Sequence, residues 1–185
     1  REMAYIPDNP DLYDYMTGIR YLNFIADIFG VSAADRQDRI RQYAGLFELT
    51  EDLAQPIAAY SHGMKQKLAI ISAWLHRPRL ILMDEPFSAV DHLTKCTLQE
   101  ELINIRQAEN KTVLFVTHDI NEAVFLADRV VLLSPRPSTI QKIYEIPLEQ
   151  KRGRSDPLLL KIAAEIAKDI NSGGQDIPNN YWGNL

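Results

Sequence analysis

Apolar positions over the first 60 residues recur at helical spacing. In "IRYLNFIADIFG" (19–30), Tyr21, Leu22, Ile25 and Phe29 fall on one face, and Gly30 closes the segment as a helix C-terminus prefers. Ser32 followed by Asp35 resembles a capping box, after which Ile40, Tyr43 and Phe47 form one stripe. A third helix is expected from Met64 through about Leu75. From residue 80 the pattern changes. "LILMD" (80–84), "TVLFVTH" (112–118) and "RVVLL" (129–133) are short apolar runs rich in β-branched residues. Helix-like stretches lie between them, "TKCTLQEELINIRQ" (94–107) and "INEAVFLAD" (120–128), the latter opened by Asp119 with Glu122. Strands alternating with helices predict an α/β fold whose parallel sheet has helices on both faces. Residues 134–153 read as a connector with one or two short strands. "DPLLLKIAAEIAKDI" (156–170) is amphipathic, with Leu158, Ile162, Ile166 and Ile170 at i+4 steps and Pro157 near its start. The tail from Asn171 is loose in composition, and no internal repeat is visible.

Composition narrows the function classes. At 185 residues, 46% hydrophobic and 24% charged, the chain suits one globular domain with a smaller appended part. A net charge of −5 argues against a sequence-independent grip on nucleic acid. The single cysteine, Cys96, excludes an internal disulfide, fits a reducing compartment and reads as a small, half-buried side chain. No apolar run approaches the roughly 18 residues of a membrane span. "REMAYIPDNP" has no signal-peptide core, and the chain starts in sequence that already looks structured, which suggests a fragment.

Parallel sheets bind ligands at the C-terminal ends of their strands, so the polar residues there matter most. The first apolar run ends in Asp84 and Glu85; the next ends in "TH", with His118 followed by Asp119. A carboxylate at a strand end can hold Mg²⁺ through water, and a neighbouring one can orient or deprotonate an attacking water. If the two strands are adjacent, Asp84, Glu85 and His118 meet at one edge, a set suited to phosphoryl transfer. Ser61, His62 and Gly63 sit at a helix start, where unpaired backbone N–H groups and the helix dipole favour an anion. Each feature alone also has an ordinary use: an exposed strand end, a structural histidine, an N-cap.

Together the segments carry a resemblance. "YSHGMKQKLAI" resembles the signature motif of ABC-type ATPases, "LILMDEPFSAVD" their Walker B and D-loop, and "VTHD" their switch-histidine segment. The order and spacing also match, with Asp84 following Ser61 by 23 residues and His118 following Glu85 by 33. The resemblance implies a P-loop NTPase-like parallel sheet plus an α-helical subdomain, with the N-terminal strands and P-loop absent from this chain. It implies the following roles. Asp84 binds Mg²⁺ through water, Glu85 polarises the attacking water, and His118 contacts the γ-phosphate of ATP. Asp91 is the D-loop aspartate facing a partner subunit, and Ser61 and Gly63 hold the γ-phosphate of ATP bound to that subunit. The helical part between Asp8 and Tyr60 touches a membrane-spanning partner. In domain terms, residues 1–76 are the Q-loop region, helical subdomain and signature, 77–150 the Walker B to switch part, and 151–185 an amphipathic helix and tail.

Three departures stand out. His62 replaces the first signature glycine, and Asp8 takes the place of the Q-loop glutamine, where a carboxylate is no simple substitute for an amide. No G-x-x-x-x-G-K-[ST] stretch occurs in the 185 residues, so a cradle for the β- and γ-phosphates and its lysine are not among them. The resemblance is also divided. Residues 3–75 resemble the drug- and antibiotic-export branch, and residues 79–170 the nitrate, sulfonate and taurine import branch. The expectation is an ATP-binding subunit, paired with itself or a second ATPase subunit, peripheral on the cytoplasmic face through a permease subunit, and inactive as this chain alone. A non-hydrolysing regulatory fragment and a soluble, non-transport ATPase of the same type are the alternatives.

Overall fold

The computed structural model describes residues 2–88, 90–147 and 153–173. The chain divides into two compact units, Arg1–Val116 and Thr117–Leu185. The first contains β1 (Met3–Ile6), α1 (Gly18–Phe29), α2 (Ala33–Leu46), α3 (His62–Leu75), β2 (Leu80–Asp84), α4 (His92–Glu109) and β3 (Thr112–Val116). The strands form a parallel sheet in the order β1-β2-β3. Ile6 lies beside Met83, and Asp84 beside Val116, so all three strands end at one edge.

Helix α3 is the centre of this unit. Every residue from Leu68 to Leu75 is buried, as expected of a helix enclosed on all sides. It packs on α1, α2, α4 and β1. Its last turn leaves carbonyls outside the helical ladder, and the guanidinium of Arg39 in α2 donates to one of them, Leu75 O, at 2.6 Å. The helical pair is tied further by the Tyr43 hydroxyl, which donates to Glu109 at the end of α4. Burial first, and then the Glu109 carboxylate, raises the Tyr43 pKa. Phe29 stacks on His76, ring centroids 3.8 Å apart.

The helix signals translate well. Gly30 is the left-handed C-cap of α1, with φ 69°. Ser32 accepts from the Asp35 amide at 3.2 Å, and its hydroxyl donates to the Asp35 carboxylate at 2.8 Å. The predicted stripe of Ile40, Tyr43 and Phe47 is buried. By contrast, β1 has no counterpart in the periodicity reading. A strand of four residues with only Ala4 and Ile6 buried is too short for alternation to register. On the opposite sheet face Met3, Tyr5, Leu114 and Val116 remain 45–55% exposed.

The second unit contains α5 (Ile120–Leu126), β4 (Arg129–Leu133), β5 (Ile140–Glu145) and α6 (Pro157–Gly173). Here one expectation is corrected: "RVVLL" does not extend the parallel sheet but pairs antiparallel with β5. The turn-rich "SPRPST" between the strands explains this, because so short a connection returns the chain on itself and cannot make a parallel crossover. Helix α6 packs on α5. It is held to β5 by Lys142, which reaches Glu165 and Asp169 at 2.8 Å each, and by the Tyr144 hydroxyl on Asp169 at 2.6 Å. Its buried stripe is Leu159, Ala163 and Ile166, whereas Leu158, expected on that stripe, is exposed. The loose tail from residue 174 lies outside the described residues.

Because α3 is enclosed by the other elements, truncating it should be felt throughout the first unit. Leu68→Ala is expected to lower stability by about 2–5 kcal/mol. Urea titration followed by the fluorescence of the buried Trp74 checks this.

Candidate functional site

The candidate residues of the first unit come from four places: the turn after β1, the start of α3, the end of β2 and the start of α4. Asp84 is the last residue of β2, and the Tyr5 hydroxyl of β1 donates to its carboxylate at 3.3 Å. Burial and the neighbouring Asp84 charge raise the Tyr5 pKa, which keeps the phenol a donor. Glu85 follows at once with φ 44°, in the left-handed region that non-glycine residues seldom occupy. Such a residue costs about 1–3 kcal/mol and persists only where its surroundings hold it. Its amide donates to Val116 O at 2.9 Å, and its carbonyl accepts from Ser88 N at 3.1 Å. The strained turn therefore projects Glu85 just beyond the sheet edge.

Asp8 lies in the turn after β1, at the same sheet edge, and its carboxylate accepts from the Asn9 amide at 2.8 Å. A residue that motif reading passed over connects these turns. Gln66, fully buried on α3, donates through Nε2 to Asp8 O at 3.0 Å, Pro86 O at 2.5 Å and, more distantly, Pro7 O at 3.4 Å. The signal was present as an amide inside the apolar face that Ile70 and Ala73 continue one and two turns on.

Helix α3 begins at His62. Ser61 is its N-cap, with the side-chain oxygen accepting from Met64 N at 3.2 Å. The ordinary role considered for Ser61 is thus real, and its hydroxyl proton remains available to a ligand. The amides of His62 and Gly63 belong to the first turn, outside the i→i−4 ladder. His62 Nε2 is buried without a hydrogen-bond partner among the described residues. Lys65 pairs with Asp14 at 2.8 Å. A Cβ at Gly63 would lie 3.1 Å from Thr94 Cγ2 and 3.8 Å from Val90 Cγ1, so Thr94 would have to give by a few tenths of an ångström. Asp91 caps α4, accepting from Thr94 N at 3.0 Å, and that bond holds its carboxyl below the usual aspartate range. The start of α3 thus lies close to Val90 and to the first turn of α4.

His118 belongs to the second unit. It lies between Thr117, whose hydroxyl donates to Glu122 at 2.8 Å, and Asp119, which caps α5 by accepting from Asn121 N and Glu122 N. The turn that presents it is well tied down within its own unit.

The acidic groups form no cage. Among the described residues, no cluster of three or more His, Cys, Asp or Glu side chains could hold a metal ion. A lone strand-end carboxylate at Asp84 instead suits an ion such as Mg²⁺, which keeps several waters and takes its remaining ligands from phosphates. Among the same residues, no helix is long and apolar enough to cross a membrane.

Two outcomes follow from the contacts around the signature turn. Gly63→Ala is expected to destabilise by about 1–3 kcal/mol through overpacking. Thr94→Ser removes the obstructing methyl, so the double variant should recover most of the loss in a denaturation series. Asp91 should titrate below an ordinary aspartate. With its folded pKa depressed, the cap is intact at neutral pH and is lost only as pH falls through that lowered value. The Thr94 amide shift, followed by NMR during acidification, reads this directly.

The ABC transporter family profile matches residues 1–88. The nitrate import ATP-binding protein NrtD of Synechococcus elongatus is 41% identical over 140 residues, 73% of this chain and 51% of its own. An aliphatic sulfonates import ATP-binding protein, SsuB 1 of Pseudomonas syringae pv. syringae, is 34% identical over 174 residues, 91% of this chain and 69% of its own. A solved ATP-binding subunit of an ABC transporter superposes with TM-score 0.70 at 27% identity, over 92% of this chain and 68% of that one. The chain spans 51–59% of the length of the first curated relatives it matches. With the motifs in order on an α/β frame of this kind, the chain belongs to the ATP-binding proteins of the ABC transporter family.

Proposed function

We propose that these residues form the signature, Walker B and switch parts of a subunit that couples ATP hydrolysis to solute transport by a membrane permease. The observation that carries this reading is the sheet edge, where Asp84 ends β2 and Glu85 follows it beside the Asp8 turn, with Gly63 close to Val90 and Thr94 at the start of α4. In this reading Asp84 would hold Mg²⁺ through water, and the ion would supply neutralisation of phosphate charge. Glu85 orients and deprotonates the attacking water, and the family motif gives His118 a contact with the γ-phosphate. Ser61 and the first-turn amides of α3 close on the γ-phosphate of ATP carried by the opposite subunit of a dimer. Asp91 faces that subunit.

The helical region between Asp8 and Tyr60 is proposed to meet the permease, which would place the protein peripherally on the cytoplasmic face. Tyr13 and Tyr15 there are 43% and 78% exposed, with ring centroids 5.8 Å apart. The import names of NrtD and SsuB favour a small oxyanion such as nitrate or a sulfonate as the transported class. A phosphate loop is not among these 185 residues, so ATP should be held mainly by residues outside them.

Two measurements test the reading. In the full-length protein, Glu85→Gln should slow phosphate release by about 10²–10⁴-fold. A rate within about twofold of wild type would remove Glu85 as the base. Calorimetry of Mg-ATP with the 185-residue chain should give binding weaker than about 1 μM, that is, less favourable than about −8.2 kcal/mol. Tighter binding would contradict the assignment of the phosphate cradle to other residues.

A further inference from the structure

We propose that Gln66 is a positioning residue that locks the Glu85 turn and the Asp8 turn onto helix α3, so that the start of that helix and the strand-end carboxylates move as one body. The kinetic part of this proposal rests on the ATPase reading; the structural part does not.

Gln66 is fully buried, yet it is a polar side chain on a helix otherwise filled by Leu68, Ile70, Ile71 and Trp74. Its Nε2 faces the carbonyls of Pro7, Asp8 and Pro86. The orientation of the amide follows from this set: reversed, its oxygen would face the same acceptors, and the carbonyls would lose their donor. Oε1 has no hydrogen-bond partner among the described residues. A merely space-filling residue at this place would avoid that cost, because an apolar side chain of the same volume has no oxygen to bury. What the amide adds is the donor.

The placement of those acceptors gives the donor its purpose. Pro86 immediately follows Glu85, whose left-handed backbone needs support from its surroundings. Asp8 O belongs to the residue at the Q-loop position. Gln66 lies five residues after Ser61 on the helix that Ser61 opens. One side chain therefore joins the helix that starts at the candidate γ-phosphate turn to both strand-end turns. A shift of α3 along or about its axis must carry Glu85 with it or break these bonds.

Amide hydrogen exchange on the 185-residue chain tests the lock without any catalytic assay. Gln66→Met keeps the volume and removes the donor. It should speed exchange at the Glu85 and Ser88 amides by roughly tenfold or more, while Leu22 and Tyr43 change by less than about twofold. Exchange at Glu85 within about twofold of wild type overturns the proposal, and so does a uniform rise at all four amides.

If Gln66→Met does not fold, Gln66→Glu decides. Its ionised carboxylate would face carbonyl oxygens, whereas the protonated acid can donate to one. The burial and the acceptors should raise its pKa, so stability is present at low pH and lost as pH rises through that value. A thermal midpoint that follows wild type at every pH overturns the proposal. In the full-length protein, Gln66→Met should lower kcat by roughly tenfold or more, with KM for ATP changed less than about threefold. An unchanged kcat beside a strongly impaired Glu85→Gln overturns the catalytic consequence. If Glu85→Gln is itself unimpaired, the ATPase reading fails, and the exchange result still decides the lock.

Discussion

The enclosure of α3 is the constraint on which the first unit depends. A helix buried on every side from Leu68 to Leu75 must be surrounded by other elements before it is stable, since its sequence offers no polar face to water. The helices α1 and α2, the strand β1 and the helix α4 supply that surround. This is why α2 is bound to the other helices of the unit, by Arg39 on Leu75 O of α3 and by Tyr43 on Glu109 of α4. The polar start of the same helix is left at the surface, and so a rigid core element carries the signature turn.

Around that helix, the chemistry is arranged by strand ends. Parallel register brings Ile6 beside Met83 and Asp84 beside Val116, which sets the Asp8 turn and the Asp84–Glu85 pair along one edge. Gly63, lacking a side chain, lets the start of α3 approach Thr94 without displacing its methyl. Thus backbone geometry, more than direct side-chain pairing, gathers the candidate groups of this unit. The turn that carries His118 is held in a separate unit by the capping interactions of Asp119, and the role proposed for His118 rests on the family motif alone.

Much of this was legible in the sequence, for identifiable reasons. Helix caps at Gly30, Ser32 and Asp119 use local hydrogen bonds, and local bonds leave local signatures. The carboxylates Asp84 and Glu85 could be placed because an apolar run ending in charge marks a strand end. What failed was whatever depends on distant partners. β1 is too short to show a period, and the antiparallel pairing of β4 depends on β5, whose "IQKIYE" carries little apolar signal. Leu158 was assigned to the buried stripe by an i+4 count, but the face of α6 turned inward begins one residue later, at Leu159. Gln66 could be noticed only as an anomaly, because its three acceptors lie on segments far away in the chain.

The left-handed backbone at Glu85 has a consequence for how this position can vary. Glycine occupies that conformation without the steric penalty a side chain suffers, and asparagine does so more readily than glutamate. A library sorted for thermal tolerance alone should therefore drift toward those residues here, and every such winner would lack the carboxylate. If Glu85 is the base as proposed, retention of glutamate under such selection would report a demand for activity in addition to one for the scaffold.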